Sequence, residues 1–513
     1  MIEYWNIDKF VSKKADLYNY INPFFNFDYF KSHNFFYLIY ALTMYKNYFD
    51  NLYINVDSNI RLDINQRVAI LTNSKNELII AGAGSGKTTT IAAKIKFMVE
   101  ILKIDPKSIL LLSYTNDSVN DIKKIIVKKF KINVKIITFH KFAILLLGNV
   151  KNIDKSIPVN NVLKEYNVKK RLYLYMFLWL FYNLSINDIR IKNSKFEQQF
   201  SLFQTDCNKY KYEKLKLKNN FKSLIFKKRC EEYFSNIKDN YLTFDSLIYE
   251  ATKLNNYNNH FKYILIDEYQ DISNLRFNFI KKYIQVENSN LMCVGDDWQT
   301  IFSFASSNIN NILNFNNNFN DTKLLKITNT YRNSQELIDI VGRFIMRSDI
   351  QIKKRLKSNK HLENPIELIE YNNKGEEIKK ISEIIELLID KKIAILLRYK
   401  FDIYDIIDNQ NFKIVNNKLI YCKNEKEIYY YTIHASKGLG FDYTIIINHK
   451  KGYYGFPPQR INNSFFEEES AILEERRIYY VALTRTKNKV YLIYPKHKKS
   501  VFLKEIKKML KKK

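Results

Sequence analysis

The sequence predicts an α/β protein with parallel sheets, and three kinds of stretch predict it. Residues 76–95 read NELIIAGAGSGKTTTIAAKI. An apolar run (Leu78, Ile79, Ile80) passes into a glycine turn, and then Ile91, Ala92, Ile95 and Met98 recur at helical spacing. Tyr263 to Ile266 is a second strand-like run, and it ends in two acids, Asp267 and Glu268. Further apolar runs of strand length stand at 109–112, 134–137 and 393–397. In open α/β sheets, ligands collect at the carboxyl ends of such strands.

At 513 residues the chain can hold several domains. Its formal net charge is +30, with 83 Lys and Arg against 53 Asp and Glu. Such a charge favours a polyanionic partner. The chain is also dense in Asn, Ile, Tyr and Phe, so about half of the basicity is assigned to composition bias. Cys207, Cys230, Cys293 and Cys422 form no C-x-x-C pair, which argues against a zinc site or a disulfide framework and for a reducing compartment. The first residues, MIEYWNIDKF, have no apolar signal core. The longest apolar run, Leu172 to Tyr182, is too short to span a bilayer and predicts a buried helix.

Residues 1–60 are rich in aromatics, among them Phe24, Phe25, Phe27, Tyr29, Phe30, Phe35, Phe36 and Tyr37. They predict a helical layer packed on the core, with a base-stacking surface as the alternative. Gln66 offers an amide donor and acceptor that suit the edge of adenine, a meaning it takes from its place ahead of the glycine turn. In that turn Gly82, Ala83, Gly84, Ser85 and Gly86 would aim backbone N–H groups at a polyphosphate, and the following helix N-terminus would add its dipole. Lys87 would reach the β- and γ-phosphates. Thr88, with Thr89 beside it, would ligate Mg²⁺. This is the pattern of a P-loop, with Ala81 where the first Gly usually stands. An ordinary glycine turn is the alternative, and the flanking strand and helix argue against it.

The runs at 109–112 and 134–137 end in polar and aromatic residues, which makes Tyr114, Thr138 and His140 candidates for a nucleic-acid track. A capping or loop role is the equal alternative. Residues 150–240 lack a strand rhythm and predict a helical insertion. Its Lys209, Lys211, Lys214, Lys216 and Lys218 fit a solvated face at least as well as a phosphate track. Asp267 would hold Mg²⁺ through water, and Glu268 would polarise an attacking water. The alternative is a solvated acidic turn. The Asn-dense stretch 308–320 predicts a loop or surface helix, 399–430 a short polar connection, and 504–513 a basic amphipathic tail, frayed and solvated.

Taken in order, the strings AGAGSGKT, TFH, LIDEYQDIS, VGDDWQTIFSFA, NTYRNSQELID, TIHASKGL, YGFPPQ and EERRIYYVALTRTK resemble the motifs of the UvrD/Rep group of superfamily 1 DNA helicases, from about Tyr45 to Tyr494. GDDWQ with a following FA, and the YGFP string, look like the helicase IV branch. The resemblance implies roles. Gln66 is similar to the adenine-reading Gln and Gln299 to the γ-phosphate sensor. Tyr331 looks like the residue that stacks on adenine, and Arg332 and Arg485 like arginine fingers from a second motor domain. Tyr114, Phe302 and Phe304 match aromatics that stack or wedge between bases. Thr138, His140, Thr432 and His434 match positions that touch the DNA backbone or couple it to the nucleotide. A motor that moves along any sequence is better served by stacking and phosphate contacts than by base-edge readout. Three positions depart from the commoner pattern: Gly440 stands for a Glu implicated in ribose binding, Asp117 for a Lys, and Arg276 for a Gln.

The expected architecture is therefore two RecA-like P-loop domains with ATP and Mg²⁺ in their cleft. Residues 1–60 form an aromatic-rich helical region. The first domain spans 61–322 with a helical insertion at about 146–240, and the second spans 323–500 with a much reduced accessory insertion at about 399–430. Residues 501–513 are the tail. The expected activity is an ATP-dependent DNA helicase moving 3′ to 5′ on single strands, in DNA repair or recombination. Polarity comes from the resemblance alone. Expected partners are single-stranded DNA and tailed or forked duplex, with RNA left open and no membrane, in the cytoplasm or at the nucleoid. Two alternatives stay open. One is a single-strand translocase with DNA-stimulated ATPase that unwinds poorly alone, motivated by the short 399–430 segment. The other is a nucleotide-gated nucleic-acid-binding protein without turnover, motivated by Gly440 and Asp117.

Overall fold

The computed structural model describes residues 34–148, 153–154, 166, 168–182, 194–236, 242–408, 410–416, 418–452, 454–458 and 471–511. The aromatics Phe24, Phe25, Phe27, Tyr29 and Phe30 lie outside the described residues. Helices α1 (Asn34–Met44) and α2 (Lys46–Asn51) come first. Leu42, Phe49, Leu52 and Tyr53 are buried in the core of the first sheet, and Phe49 stacks on Phe97 at 5.9 Å.

The first sheet is built from α3 (Ile64–Leu71), β1 (Asn76–Ala81), α4 (Lys87–Glu100), β2 (Ile109–Ser113), α5 (Asn116–Lys123), β3 (Lys135–Thr138) and α6 (Phe139–Leu147). Strands β4 (Ile153–Asp154) and β5 (Leu242–Thr243) then pair as a neck. Between them stand helices α7 (Val168–Phe181), α8 (Ser194–Lys211) and α9 (Phe221–Asn236). The chain returns through α10 (Phe244–Thr252), β6 (Tyr263–Ile266), α11 (Asn274–Glu287), β7 (Asn290–Gly295), the short helices α12 (Asn310–Leu313) and α13 (Phe315–Asn318), and β8 (Thr322–Ile327). All six main strands are parallel, in the order β3-β2-β6-β7-β1-β8. Helices cover both faces. Ile79 and Ala81 pack with Ile91 and Ile95 on one side, while Leu78 and Ile80 pack with Phe139 and Ile248 on the other. Burial on both faces is why β1 and β2 read as unbroken apolar runs. The loops after β1, β6 and β7 open on one crevice.

The second sheet uses α14 (Gln335–Ile345), β9 (Ile366–Tyr371), α15 (Lys374–Leu387), β10 (Ile393–Leu397), β11 (Phe412–Val415), β12 (Lys418–Tyr421), β13 (Lys426–Thr432), β14 (Tyr443–Ile446), α16 (Ala471–Leu483), β15 (Val490–Pro495) and α17 (Val501–Leu510). Its order is β11-β12-β13-β10-β14-β15-β9.

The structure corrects several expectations. The second sheet is mixed rather than parallel, because β11, β12 and β13 pair antiparallel. They come from the supposed polar connection, which buries Phe412, Leu419, Tyr421 and Ile428 on one face. Strand β8 crosses the expected 322/323 boundary and pairs with β1 along its length, so the first sheet runs to Ile327. The basic tail is not frayed up to Leu510: α17 buries Phe502, Leu503, Ile506 and Met509, one face of an amphipathic helix. Helix α7 is only half buried, with Leu174, Phe177 and Leu178 inside and Leu172, Met176 and Leu180 exposed. Among the described residues no helix is long and apolar enough to cross a membrane. All four cysteines are free thiols.

Candidate active site

The glycine turn between β1 and α4 is shaped by two left-handed residues, Gly84 (φ +71°) and Gly86 (φ +78°), which L side chains rarely adopt. Space forbids a side chain as well: a Cβ on Gly86 would stand 2.7 Å from Gln66 Nε2, and one on Gly84 2.5 Å from Arg332 Cβ. The turn thus puts Lys87, Thr88 and Thr89 in the first turn of a 14-residue helix, whose unpaired N–H groups form an anion seat. Ala83 and Ser85 are buried beneath it, and Gly82 lies against Leu356.

The acids after β6 face this seat. Lys87 Nζ lies 3.9 Å from Glu268 Oε1, and Thr88 Oγ1 donates to Asp267 Oδ2 at 3.3 Å. Glu268 is itself left-handed (φ +51°), a backbone cost met by its N–H donating to Asp267 Oδ1 and by Gln270 Nε2 donating to its carboxylate. Burial, then the neighbouring Glu268 charge, pushes Asp267 up to about 7. Glu268 moves the other way, to about 2: burial alone would raise it, but Lys87, Lys437, the hydrogen bond from Gln270 and Arg485 together outweigh that. Thr88 and Asp267 supply hard oxygen ligands, and among the described residues no cluster of three or more His, Cys, Asp or Glu could hold a metal alone. That donor set fits Mg²⁺, which takes one or two protein oxygens and completes its shell with phosphate and water.

The opposite wall comes from the second sheet. Arg485 is 1% exposed, and its Nη2 donates to Gln299 Oε1 at 3.1 Å. Burial, with Arg332 beside it, pulls this guanidinium down to about 9, still a cation at neutral pH. Arg332, likewise lowered by burial, donates to the carbonyls of Thr484 and Gly438. The hydrogen-bond partners of both guanidiniums are thus neutral oxygens. A buried and a half-buried cation facing an anion seat leave room for added negative charge. Gln299 also donates from Nε2 to Asp296. Tyr331 bridges the cleft: its N–H donates to Gly84 O at 3.0 Å and its hydroxyl to Asp63 Oδ2 at 2.7 Å, with half of the ring exposed.

Gln66 stands close by but is engaged. Its Oε1 accepts from Asp63 N and its Nε2 donates to Ser85 O, so it closes a capping box on α3 and holds the turn from behind. The Asp63-x-x-Gln66 spacing carried that signal. Asp117 is exposed in the first turn of α5, away from these contacts. Gly440 lies under Arg332, whose Nε is 3.4 Å from where a Cβ would be.

The other expected residues divide into two groups. Phe302, Phe304 and His434 form one aromatic cluster: Phe304 lies 5.8 Å from Phe302 and 5.4 Å from His434, and Phe304 is 59% exposed. Burial, then Arg398 and Lys437, lowers His434 to about 4, so it is neutral. Thr432 stands at the base of this cluster, where its Oγ1 accepts from Ala435 N. Tyr114, Thr138 and His140 are elsewhere and turn inward. Tyr114 is half-buried and packs edge-on to Phe139, with Arg276 above its ring. Thr138 is a buried N-cap for α6, and His140 sits on Phe244, lowered to about 3 by burial and Arg276.

Residue patterns missed the links between the two sheets. Lys437 Nζ donates to both oxygens of Asp271 at 2.7 Å and to Gln299 O at 2.8 Å. Arg477 Nε donates to Thr300 O at 2.6 Å, and Glu474 Oε1 accepts from Ser303 N at 3.0 Å. Thr330 Oγ1 donates to Ala83 O at 2.7 Å.

The profile of the UvrD/REP helicase N-terminal domain matches residues 62–320, half of the chain. A probable DNA helicase II homolog of Mycoplasma capricolum is 29% identical over 66% of this chain and 49% of its own length. DNA helicase IV of Escherichia coli is 26% identical over 86% of this chain and 69% of its own. The ATP-dependent DNA helicase Rep of Buchnera aphidicola subsp. Schizaphis graminum is 27% identical over 68% and 57%. The chain spans about half to two thirds of the length of these relatives. By the extent of the family match, together with a crevice that gathers Lys87, Thr88, Asp267 and Glu268, the chain belongs to the UvrD/REP helicase family.

Proposed function

We propose that the chain is an ATP-hydrolysing motor that moves 3′ to 5′ along single-stranded DNA and unwinds duplex ahead of it. One observation carries the reading. Gln299 touches Arg485 of the second sheet, and three residues later Phe302 begins the aromatic cluster with Phe304 and His434. A nucleotide site and a base-stacking surface therefore share one short segment. In this reading the domains are 61–327 and 328–511. Lys87 and the N–H groups of 84–89 bind the phosphates, and Tyr331 stacks on adenine. Glu268, kept ionised, orients the attacking water, and Arg332 and Arg485 meet the charge that develops on the transferred phosphoryl group. Mg²⁺ held by Thr88 and Asp267 would neutralise charge on the β- and γ-phosphates. Gln299 senses the γ-phosphate, and the clasped segment 299–303 passes cleft closure to the bases on Phe302 and Phe304. The relatives named as ATP-dependent DNA helicases support this reading, and the place of action is DNA repair or recombination at the nucleoid or in the cytoplasm.

A second reading, a translocase that strips the strand but unwinds poorly alone, is favoured by the hairpin at 412–421, which stands where a larger accessory domain is expected. Tailed duplexes separate the two and report polarity. The primary test is ATP hydrolysis with and without single-stranded DNA. Strong stimulation is expected, with Glu268→Gln and Lys87→Ala both losing turnover by about three orders of magnitude or more. Undiminished hydrolysis in Lys87→Ala would overturn the phosphate assignment. Competition between matched DNA and RNA strands decides the substrate class.

A further inference from the structure

The segment between α14 and β9 runs back across the cleft as a strap. Trp298 Nε1 donates to Ile352 O at 3.1 Å, and Ile352 N to Asp297 Oδ2 at 2.7 Å. Lys357 joins the end of β8, donating to Thr328 O and accepting from Thr330 N. Leu356 closes on Gly82, where a Cβ would stand 2.6 Å from it. At the centre of the strap is Lys354, whose side chain is 1% exposed. Its ammonium pairs with Asp296, lies 2.8 Å from Asp297 Oδ1, and sits 4.5 Å over the Trp298 ring. Both aspartates are fully buried.

A buried ammonium between two carboxylates is a poor way to gain stability, since apolar side chains of the same volume serve as well or better. What it fixes is direction. Asp296 Oδ1 is taken by Lys354 and by Trp298 N, which leaves Oδ2 to accept from Gln299 Nε2. The Gln299 amide is then held with its oxygen toward Arg485. The Asp296 N–H donates to Gln270 Oε1 at 2.8 Å, and the other end of that amide donates to Glu268. One aspartate thus orients both the polar group facing Arg485 and the partner of Glu268.

We propose that Lys354 is a positioning residue of the nucleotide site, acting through Asp296 on Gln299 and Glu268. The inference rests on the ATPase reading above. Without the ammonium, Asp296 Oδ1 loses the donor that fixes its orientation, and the carboxylate is free to turn away from Gln299. Where Asp297 stays ionised beside it, Asp296 takes a proton as well. A protonated Asp296 donates where it now accepts. The Gln299 amide must then turn its NH₂ toward the Arg485 guanidinium, two donors face to face. Alignment of the sensor is lost while the phosphate seat stays intact.

The test compares the full chain with Lys354→Met, Asp297→Asn and the double variant Lys354→Met/Asp297→Asn. The double variant has the same net charge in the pocket as the wild type but leaves Asp296 unheld. Thermal unfolding and steady-state ATPase on oligothymidylate are read for each. Asp297→Asn alone is expected to keep kcat within about threefold, because Lys354 still holds Asp296. The double variant is expected to regain the unfolding midpoint that Lys354→Met loses, yet to stay about tenfold or more below wild type in kcat, with KM for ATP within about threefold. A double variant whose kcat returns with its midpoint overturns the inference and makes the trio structural. Should the midpoint stay low, kcat is read well below it, with the same two outcomes. A wild type without DNA-stimulated hydrolysis overturns the ATPase reading itself, and this inference with it.

Discussion

Phe304 stands out among the aromatic residues because its neighbours hold it while solvent reaches more than half of it. A large ring kept exposed loses the benefit of burial unless something covers it in use. A base stacked on it contributes about 1–3 kcal/mol. Phe304→Ala should therefore weaken single-strand binding by that amount and leave the melting temperature nearly unchanged, since little packing is lost. Fluorescence anisotropy on a labelled oligonucleotide checks it, and unchanged affinity would remove Phe304 from the track. Much of the site at this scale was legible in the sequence, because Lys87, Thr88, Asp267 and Glu268 sit in contiguous patterns whose spacing encodes the strand-turn-helix geometry. The residues that escaped are Lys354, Lys437 and Arg477. Their partners lie 58, 166 and 177 positions away, and no local pattern reaches that far. Gln66 escaped for the opposite reason: a remote functional role was assigned first, although its spacing from Asp63 also spells a helix cap.

Among the elements, α6 shows how a capping residue and a motif residue coincide. Thr138 ends β3 and begins α6. It is buried, extended, and its Oγ1 accepts from Lys141 N at 3.5 Å. The oxygen caps the helix as an acceptor and is buried, which sets a structural role against a phosphate contact through its O–H. Thr138→Ala should cost about 1 kcal/mol of stability, while Thr138→Ser keeps both the cap and the single-strand affinity. Chemical denaturation set beside a binding titration separates the roles; an Ala variant that loses DNA but no stability would return Thr138 to the track. Elements were legible where helices cover both faces of a strand. They failed where a pattern is short or composition misleads. Strands β11 and β12 have four residues each, too few to show alternation. Helix α17 looked like a lysine-rich tail, although its apolar residues at 502, 503, 506 and 509 line one helical face. The amphipathic pattern itself was legible; what the sequence does not name is the surface that covers its apolar face.

Across the whole molecule, each sheet has its own core, and Ala83, Trp298 and Ile301 of the first half pack into the core of the second. Polar links join the two halves, among them Lys354 with Asp296 and Asp297 and the nearly as enclosed pair of Lys437 with Asp271. Their side chains are 8% and 4% exposed, and the ammonium also holds Gln299 O. Removing one partner of a buried pair leaves an uncompensated charge, a cost of about 3–5 kcal/mol. That cost applies only while the cleft is closed, because opening returns water to Asp271. Lys437→Met should therefore shift the protein toward an open form rather than unfold either sheet. Small-angle scattering is expected to show a larger radius of gyration than the wild type, and DNA-stimulated hydrolysis should fall because Arg332 and Arg485 no longer reach the phosphate seat. Adding Asp271→Asn removes the stranded charge, so the double variant should close again and recover its radius. A Lys437→Met protein with wild-type dimensions and a lower melting temperature would show instead that the pair stabilises one sheet locally, and that closure depends on the Arg477 and Glu474 contacts to segment 300–303.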